Sequence, residues 1–336
     1  MADNRESILK GAKAANTLHR DLGVRETLER NSGSRVDVFD AVSKVGGTLM
    51  FQELDRLLGA YVPADEPGVL ITTQRALPIQ RFTCAHELGH LYMRHSPSLD
   101  DDGILRRAPF AANSKLDPQE READAFASMF LAPSWLLALI AQRQGWAPQS
   151  LSEPATAYQL SLRLGTSYAA TIYALERHQA ISRGQRELLL SSEPKVIKKS
   201  LLSGYEPPDW RSDVWLLSNR DEGARIEGGR NDLFVVRLRE NSGAGYLWSF
   251  DELKAAGFAV VADDQESDDA ESVGGILTRR VTARSNRRTH GKVTLSESRP
   301  WLPHKPLHEL HLQYDLRGPE EPGMWEPELR RALQVA

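Results

Sequence analysis

The segment His86-Glu87-Leu88-Gly89-His90 carries the side chains with the clearest chemical potential. On a helix, residues four apart share a face, so the two imidazoles can bind one zinc ion. Glu87 adjoins the first histidine and can take a proton from a zinc-activated water and pass it to the leaving amine of a peptide. The spacing predicts peptide hydrolysis with Zn²⁺ as cofactor and Glu87 as the catalytic residue. The plainer alternative is a helix with two surface histidines.

A catalytic zinc usually has three protein ligands, so one more is expected elsewhere. Residues 117–131 predict a helix in which Asp117 is the N-cap and Glu120 completes a capping box. Glu122 adjoins the apolar face of that helix and has small neighbours, so it is the predicted third ligand, with Glu120 as the alternative. Asp124 is expected to orient a histidine through its other ring nitrogen, unless it lies on a solvated face.

Two side chains around the motif are further candidates. His95 and Tyr92 could stabilise the oxyanion of the transition state, although a histidine at a helix end often only meets the last carbonyls. Cys84 is expected to be a buried small hydrophobe. Because it is the single cysteine, an intramolecular disulfide and a zinc site of several thiolates are both excluded.

The elements that must position these residues follow from apolar periodicity. Strand 69–72 precedes the motif helix and is expected to pair with an extended substrate as an added strand. The predicted helices are 6–22, 36–45, 80–93 and 117–131, and the predicted strands in this part are 48–51, 59–62 and 69–72.

Residues 36–181 resemble the ImmA/IrrE-type zinc metallopeptidase family. The matching pieces are 69–72, 80–90 and 120–133, in the same order and at the same spacing. The resemblance implies a compact gluzincin-like zincin whose third ligand is a glutamate, here Glu122. Known members cleave a helix-turn-helix transcriptional repressor. The resemblance therefore implies a site-specific endopeptidase that derepresses a stress-response or phage-defence operon.

Residues 156–181 have helix-turn-helix spacing. The second helix of the pair, 167–177, carries little basic charge, whereas a DNA-reading helix usually presents Arg, Lys, Asn or Gln to base edges. A structural role, or a docking surface for the substrate, is therefore favoured over DNA reading.

The C-terminal part has a different pattern, in which short alternating strands are separated by turns. Residues 226–316 resemble chagasin-type cysteine-protease inhibitors on the segments 239–248, 273–275 and 298–301. The resemblance implies an immunoglobulin-like sandwich. Residues 242–244 depart from the proline- and threonine-containing first loop of the inhibitors. Two further segments are assigned from composition alone: 193–208 as a linker and 263–271 as an acidic, mobile loop.

A cluster of basic and aromatic side chains in this part could bind single-stranded DNA, because such binding combines cations with stacking rings. The alternative is a solvated face that pairs with the acidic loop. The candidate contacts are Arg279, Arg280, Arg284, Arg287, Arg288, Lys292, Trp248 and Trp301.

The chain is thus expected to be α+β, with three parts. Residues 1–145 form a mostly helical zinc peptidase domain with a small sheet, 146–205 a helix-turn-helix-like region and linker, and 206–336 a chagasin-like sandwich that senses a signal or binds a partner. The net charge of −4 gives no general attraction to polyanions. No signal peptide or membrane span is evident, so a cytoplasmic location is expected. The alternative function is a non-proteolytic binding module, either a cysteine-protease inhibitor or a DNA-binding regulator.

Overall fold

Helices and strands occur in largely separate runs, as expected for an α+β protein. The computed structural model describes residues 2–30, 35–55, 57–96, 98–101, 117–267, 277–285 and 287–327. The helices are α1 (Ala2–Asp21), α2 (Val24–Arg30), α3 (Val38–Lys44), α4 (Leu77–Met93), α5 (Pro118–Leu131), α6 (Ser134–Gln144), α7 (Pro154–Leu164), α8 (Tyr168–Arg177), α9 (Arg183–Ser191), α10 (Pro194–Leu202) and α11 (Asp251–Ala255). The strands are β1 (Thr48–Gln52), β2 (Leu57–Val62), β3 (Gly68–Thr72), β4 (Ser98–Asp101), β5 (Val214–Leu217), β6 (Arg225–Glu227), β7 (Leu233–Glu240), β8 (Leu247–Ser249), β9 (Ala259–Ser267), β10 (Leu277–Arg284), β11 (His290–Ser298), β12 (His308–Asp315) and β13 (Gly323–Met324).

The chain divides into two compact units that are not continuous in sequence. Unit 1 comprises 1–139, 164–182 and 319–336, and unit 2 comprises 140–163 and 183–318. The helix-turn-helix-like region is thereby split, because nearly all of α7 belongs to unit 2 and α8 to unit 1. The three domain boundaries drawn from the sequence stay a prediction.

Unit 1 contains a five-stranded sheet of order β13-β1-β3-β2-β4. Strand β3 pairs in parallel with β1 over residues 68–72 and antiparallel with β2 over residues 68–71. Both of its edges are therefore used within the sheet. The prediction that a substrate adds to the 69–72 strand is wrong, because no hydrogen-bonding edge of β3 is left for it.

Helix α5 packs against both α1 and α4, and two glycines permit the close approach. A side chain at Gly11 of α1 would meet the backbone carbonyl oxygen of Glu122 at 2.1 Å, and one at Gly89 of α4 would meet the Phe126 ring at 3.2 Å. Because neither position can carry a side chain without a shift, the backbones of α1 and α4 lie unusually close to α5. This proximity matters for the site, which is built from α4 and α5.

Side chains satisfy backbone groups at both ends of α5. At the N-terminus, the Asp117 carboxylate accepts a hydrogen bond from the backbone N–H of Gln119 at 2.8 Å. At the C-terminus, the last carbonyls accept hydrogen bonds from His19 (to Phe130, 2.8 Å), Arg177 (to Ser128, 3.1 Å) and His178 (to Ala132, 3.0 Å). Cationic or donor groups at this end complement the helix dipole and its orphan carbonyls.

Unit 2 contains two four-stranded sheets, of order β5-β7-β10-β9 and β6-β12-β11-β8. Both contribute to one apolar core, in which Phe234 and Val281 of the first sheet join Leu295 and Leu312 of the second. The predicted sandwich-like packing of this part therefore agrees with the structure, and its immunoglobulin-like classification stays a prediction.

Two sequence assignments in unit 2 are corrected. The 193–208 linker contains helix α10, with Ile197, Leu201 and Leu202 buried. Of the acidic 263–271 loop, residues 263–267 belong to β9, which pairs with β10. The rest of that segment lies outside the described residues.

One stretch of the described chain, Pro118–Gln144, is long and apolar enough to cross a membrane, and 67% of its apolar window is buried in the protein. The stretch consists of two helices, α5 and α6, that break between Leu131 and Ser134. Burial of this extent is typical of core helices in a globular protein.

Candidate metal centre

Helix α4 carries His86, Glu87 and His90 through the interior of unit 1, and all three side chains are fully buried. Gln80, in the first turn, donates from Nε2 to the carbonyl of Thr72 at 3.1 Å, which ties the helix to the end of β3. Burial of three ionisable side chains on one helix is costly unless they have partners or bind a metal.

The two motif histidines point the same ring nitrogen to one place. Nε2 of His86 and Nε2 of His90 lie 3.0 Å apart. The carboxylate of Glu120, on α5, lies beside both: its Oε2 is 3.4 Å from Nε2 of His86, and its Oε1 is 3.6 Å from Nε2 of His90. One ligand atom from each of these three buried residues lies within 4.8 Å of the others, so the group could hold a metal ion.

Glu122, the predicted third ligand, lies elsewhere. Its Oε2 is 3.0 Å from Nε2 of His95 and 2.7 Å from the Lys10 ammonium. The geometry therefore favours Glu120 over Glu122 as the carboxylate ligand. Glu120 ranked second in the sequence analysis because a capping role was expected for it. In the structure, the N-terminus of α5 is capped by Asp117, which accepts from the backbone N–H of Gln119.

Each motif histidine has its own partner on the second ring nitrogen. Oδ1 of Asp124 lies 3.0 Å from Nδ1 of His86. Nδ1 of His95 lies 3.0 Å from Nδ1 of His90. Asp124 therefore has the position expected of a residue that orients His86. His95 contacts Nδ1 of His90, on the side of the ring opposite to Nε2. It is therefore not placed to stabilise an oxyanion at the Nε2 position.

The contacts of His90 define a consistent set of tautomers. If Nε2 of His90 offers its lone pair to a metal, then Nδ1 carries the hydrogen and donates it to Nδ1 of His95. His95 then carries its own hydrogen on Nε2 and donates it to the Glu122 carboxylate. Burial lowers the pKa of His95, against the opposing hydrogen bond and charge of Glu122, and a neutral ring is the form that can accept from His90.

Neither Tyr92 nor Cys84 is part of this cluster. The Tyr92 hydroxyl lies 3.5 Å from Oδ2 of Asp21, and its ring packs 6.1 Å from that of Phe126. Cys84 is buried on α4 with its Sγ 3.9 Å from the carbonyl of Val38, as expected for a small core residue.

The donor set fits zinc. Two imidazole nitrogens and one carboxylate oxygen are the ligands of many catalytic zinc sites, which keep a fourth position open. The orienting carboxylate on His86 and the His95–Glu122 pair on His90 are the kind of outer contacts that fix ligand histidines. Glu87 follows His86 directly on α4, and its side chain is also fully buried.

The predicted DNA contacts in unit 2 do not form one open surface. Trp248 is buried, and its Nε1 donates to the carbonyl of Arg239. Arg279 binds the Asp263 carboxylate at 2.6 Å, and buried Arg280 reaches Ser203 and the carbonyl of Leu201. The exposed members of the set are Arg287, Arg288, Lys292 and Trp301, and Arg284 is half-buried.

The buried histidine pair on one helix and the carboxylate from a second helix define the class of this part of the chain, a metallopeptidase-type domain. Residues 48–176 match the IrrE N-terminal-like domain family, Peptidase M78. The family resemblance expected from the motifs is thus confirmed over that range. No curated protein matches the chain.

Solved structures similar to this chain include two that match about a third of it, in its C-terminal part. A cysteine protease inhibitor from Entamoeba histolytica has 21% identity and a TM-score of 0.27, and covers 32% of this chain and 100% of its own. Amebosin has 19% identity and a TM-score of 0.26, and the match covers 31% of this chain and 97% of amebosin. A Mycobacterium tuberculosis transcriptional regulator has 11% identity, a TM-score of 0.32, and 85% and 82% coverage.

Proposed function

We propose that the chain is a zinc-dependent endopeptidase whose metal is held by His86, His90 and Glu120. The observation that carries the proposal is the convergence of two buried Nε2 atoms and one carboxylate. Glu120 takes the place of Glu122, which we assign to positioning His95. The match of residues 48–176 to the peptidase family supports the same conclusion.

Bound zinc would supply Lewis-acid catalysis, polarising the scissile carbonyl and lowering the pKa of water. Glu87 is the group that accepts the proton of the attacking water and returns it to the leaving amine, because it adjoins a ligand on the same helix. Asp124 and His95 hold the two imidazoles in the tautomer whose Nε2 lone pair can bind a metal.

The test is Glu87→Gln in the full chain. The substitution removes the proton acceptor but keeps the side chain's size, so zinc content should match the unaltered protein while peptide cleavage falls by at least about a hundredfold, the scale of general-base catalysis. Zinc is measured by elemental analysis and cleavage by mass spectrometry. Full activity in the variant would contradict the assignment, and absence of zinc from both proteins would reject the metal centre itself.

The substrate we propose is a helix-turn-helix transcriptional repressor encoded beside this chain, cleaved in the cytoplasm to derepress a stress-response or phage-defence operon. This rests on the family resemblance. The cleavage assay therefore uses that repressor, with and without single-stranded DNA. Stimulation by DNA would assign a sensor role to the exposed cations Arg287, Arg288 and Lys292, and equal rates would remove it.

A binding role without proteolysis is the second candidate. Trp301, at 66% exposure, lies in a loop of unit 2 with Leu302 and Leu307, and such exposed apolar side chains often mark a protein contact. Bound zinc without cleavage of the repressor, together with inhibition of a papain-like protease by the full chain, would favour this role.

A further inference from the structure

A cavity within unit 2 is lined by positive charge. Its volume is about 440 Å³, and three arginines line it: Arg220, Arg237 and Arg239. Among the described residues that line it, none is Asp or Glu. The chain as a whole has a net charge of −4, so the cavity is a local concentration of the opposite sign. A concave site of one sign attracts ligands of the other.

The fold places these arginines together. Burial alternates along the end of β7, so Arg237 and Arg239 emerge on the same side of the strand, away from the core. Arg239 stands in register with Thr278 of β10, which also lines the cavity. Arg220 comes from the short 3₁₀ turn Asn219–Asp221, so two separate elements aim cations at one space.

The positive charge of this cavity is only partly compensated. One carboxylate, Glu266, serves two guanidinium groups: it accepts from Arg237 at 2.9 Å and lies 3.2 Å from Nη1 of Arg280. Within the described part of the chain, Arg220 and Arg239 have no ion-pair partner. An anionic ligand would therefore gain two uncompensated cations without breaking an existing pair.

The turn that carries Arg220 is held rigidly. The buried carboxylate of Asp221 accepts from Arg163 at 2.8 Å, from Gln144 at 2.9 Å and from the backbone N–H of Ser218 at 2.9 Å. A preorganised site loses less conformational freedom when a ligand binds. Trp146 also lines the cavity, and the guanidinium of Arg163 lies over its ring at 5.6 Å, which leaves the opposite face of the indole for a ligand.

We propose that this cavity binds a nucleoside phosphate. Guanidinium groups match phosphate oxygens in charge and geometry, and the indole of Trp146 offers a stacking surface for a base. The volume lies within the range of small-molecule sites. The nucleoside phosphate is either free or the end of a single strand, and both present the same chemistry. The proposal is independent of the peptidase centre.

The test is calorimetric titration of the full chain with ATP, with inorganic phosphate and with a short single-stranded oligonucleotide. Arg220→Gln with Arg239→Gln should weaken binding of the nucleoside phosphate at least tenfold. Arg230→Gln is the matched control, because Arg230 is an exposed arginine of unit 2 that does not line the cavity, and it should leave binding unchanged. Thermal unfolding of each variant checks that the fold is retained.

The nucleoside phosphate should also bind to His86→Ala. This variant lacks a proposed zinc ligand, so it distinguishes binding in the cavity from ATP that only chelates the metal. Binding of ATP that the double variant loses supports the proposal for a free nucleotide. Binding of the oligonucleotide alone, with the same loss, supports it for a strand end. No binding of either, equal loss in the control, full binding in the double variant, or binding of inorganic phosphate alone would each overturn it.

Discussion

Glu120 and Glu122 are two residues apart on α5, yet they contact different histidines. A step of two residues turns the side chain by about 200° around the helix, so only one of the two can face α4. The sequence predicted the helix and a glutamate ligand within it. Which of the two glutamates is the ligand depends on how α5 is rotated against α4. That rotation is set by tertiary packing at Gly11 and Gly89, which local propensity does not contain.

The histidine pair, by contrast, could be predicted from spacing alone. Residues i and i+4 on any helix share a face, so His86 and His90 meet whatever surrounds them. The same applies to Asp124, four residues after Glu120 on α5, which reaches Nδ1 of His86. His95 was only loosely predicted, because its contact with His90 forms beyond the end of α4.

Two substitutions separate a ligand from a positioning residue. Glu120→Ala should weaken zinc binding more than a hundredfold, because it removes one of three proposed ligands. Glu122→Ala should weaken it only about 10- to 100-fold, the usual effect of losing an outer partner of a ligand. Zinc affinity is measured by competition with a chromophoric chelator. The reverse order would restore Glu122 as the third ligand.

At the scale of elements, α5 is stabilised at its C-terminal end by imidazoles that must stay neutral. Burial lowers the pKa of His19, partly opposed by its hydrogen bond to Phe130, and burial likewise lowers the pKa of His178. A histidine whose folded pKa is depressed stabilises the fold above its unfolded pKa of about 6.5, and that contribution is lost as pH falls through this range.

The free energy of unfolding should therefore fall between pH 7 and pH 5. His19→Gln should flatten part of that slope, because the amide can still donate to the Phe130 carbonyl but does not titrate. The measurement is urea denaturation at several pH values. His304→Gln, at an exposed position of unit 2, is the control and should leave the slope unchanged. An unaltered slope in His19→Gln would show that His19 is not one of the responsible groups.

Strands with alternating apolar residues were predicted well, since alternation directly reports one buried face. Strand β9 was missed because its sequence is acidic and has low strand propensity. It is held by an antiparallel backbone ladder with β10, and two ion pairs join the same strands: Asp263 with Arg279 at 2.6 Å, and Glu266 with Arg280 at 3.2 Å. The composition of 263–271 does not contain the partner strand, so it indicated a loop instead.

At the scale of the whole molecule, unit 1 is completed by residues that follow unit 2 in the chain. Met324 of β13 pairs with Met50 of β1, the amide of Glu320 donates to Gln80 at 2.9 Å, and Trp325 is buried. Sequence alone assigned all of 206–336 to the C-terminal domain. A two-residue strand has no periodicity of its own, so its pairing with β1 could not be predicted.

Trp325→Ala should destabilise unit 1 by about 3–5 kcal/mol, the usual cost of removing a buried aromatic side chain. Hydrogen exchange followed by mass spectrometry should report faster exchange in β1 and α4, with β10 and β11 unchanged. Trp301→Ala is the matched control, because Trp301 is 66% exposed. Equal effects of the two substitutions would mean that the 319–327 segment contributes little to unit 1.

The chain passes between the two units four times, at 139/140, 163/164, 182/183 and 318/319. Since β13 comes from residues 323–324, the sheet beside α4 is finished only when nearly the whole described chain has left the ribosome. Unit 2, by contrast, has all of its residues once 318 is translated. During synthesis, which proceeds from the N-terminus, a nascent chain can therefore complete unit 2 before it completes the sheet of unit 1. Order of emergence alone would thus leave β1 without its β13 neighbour until all of unit 2 has been made.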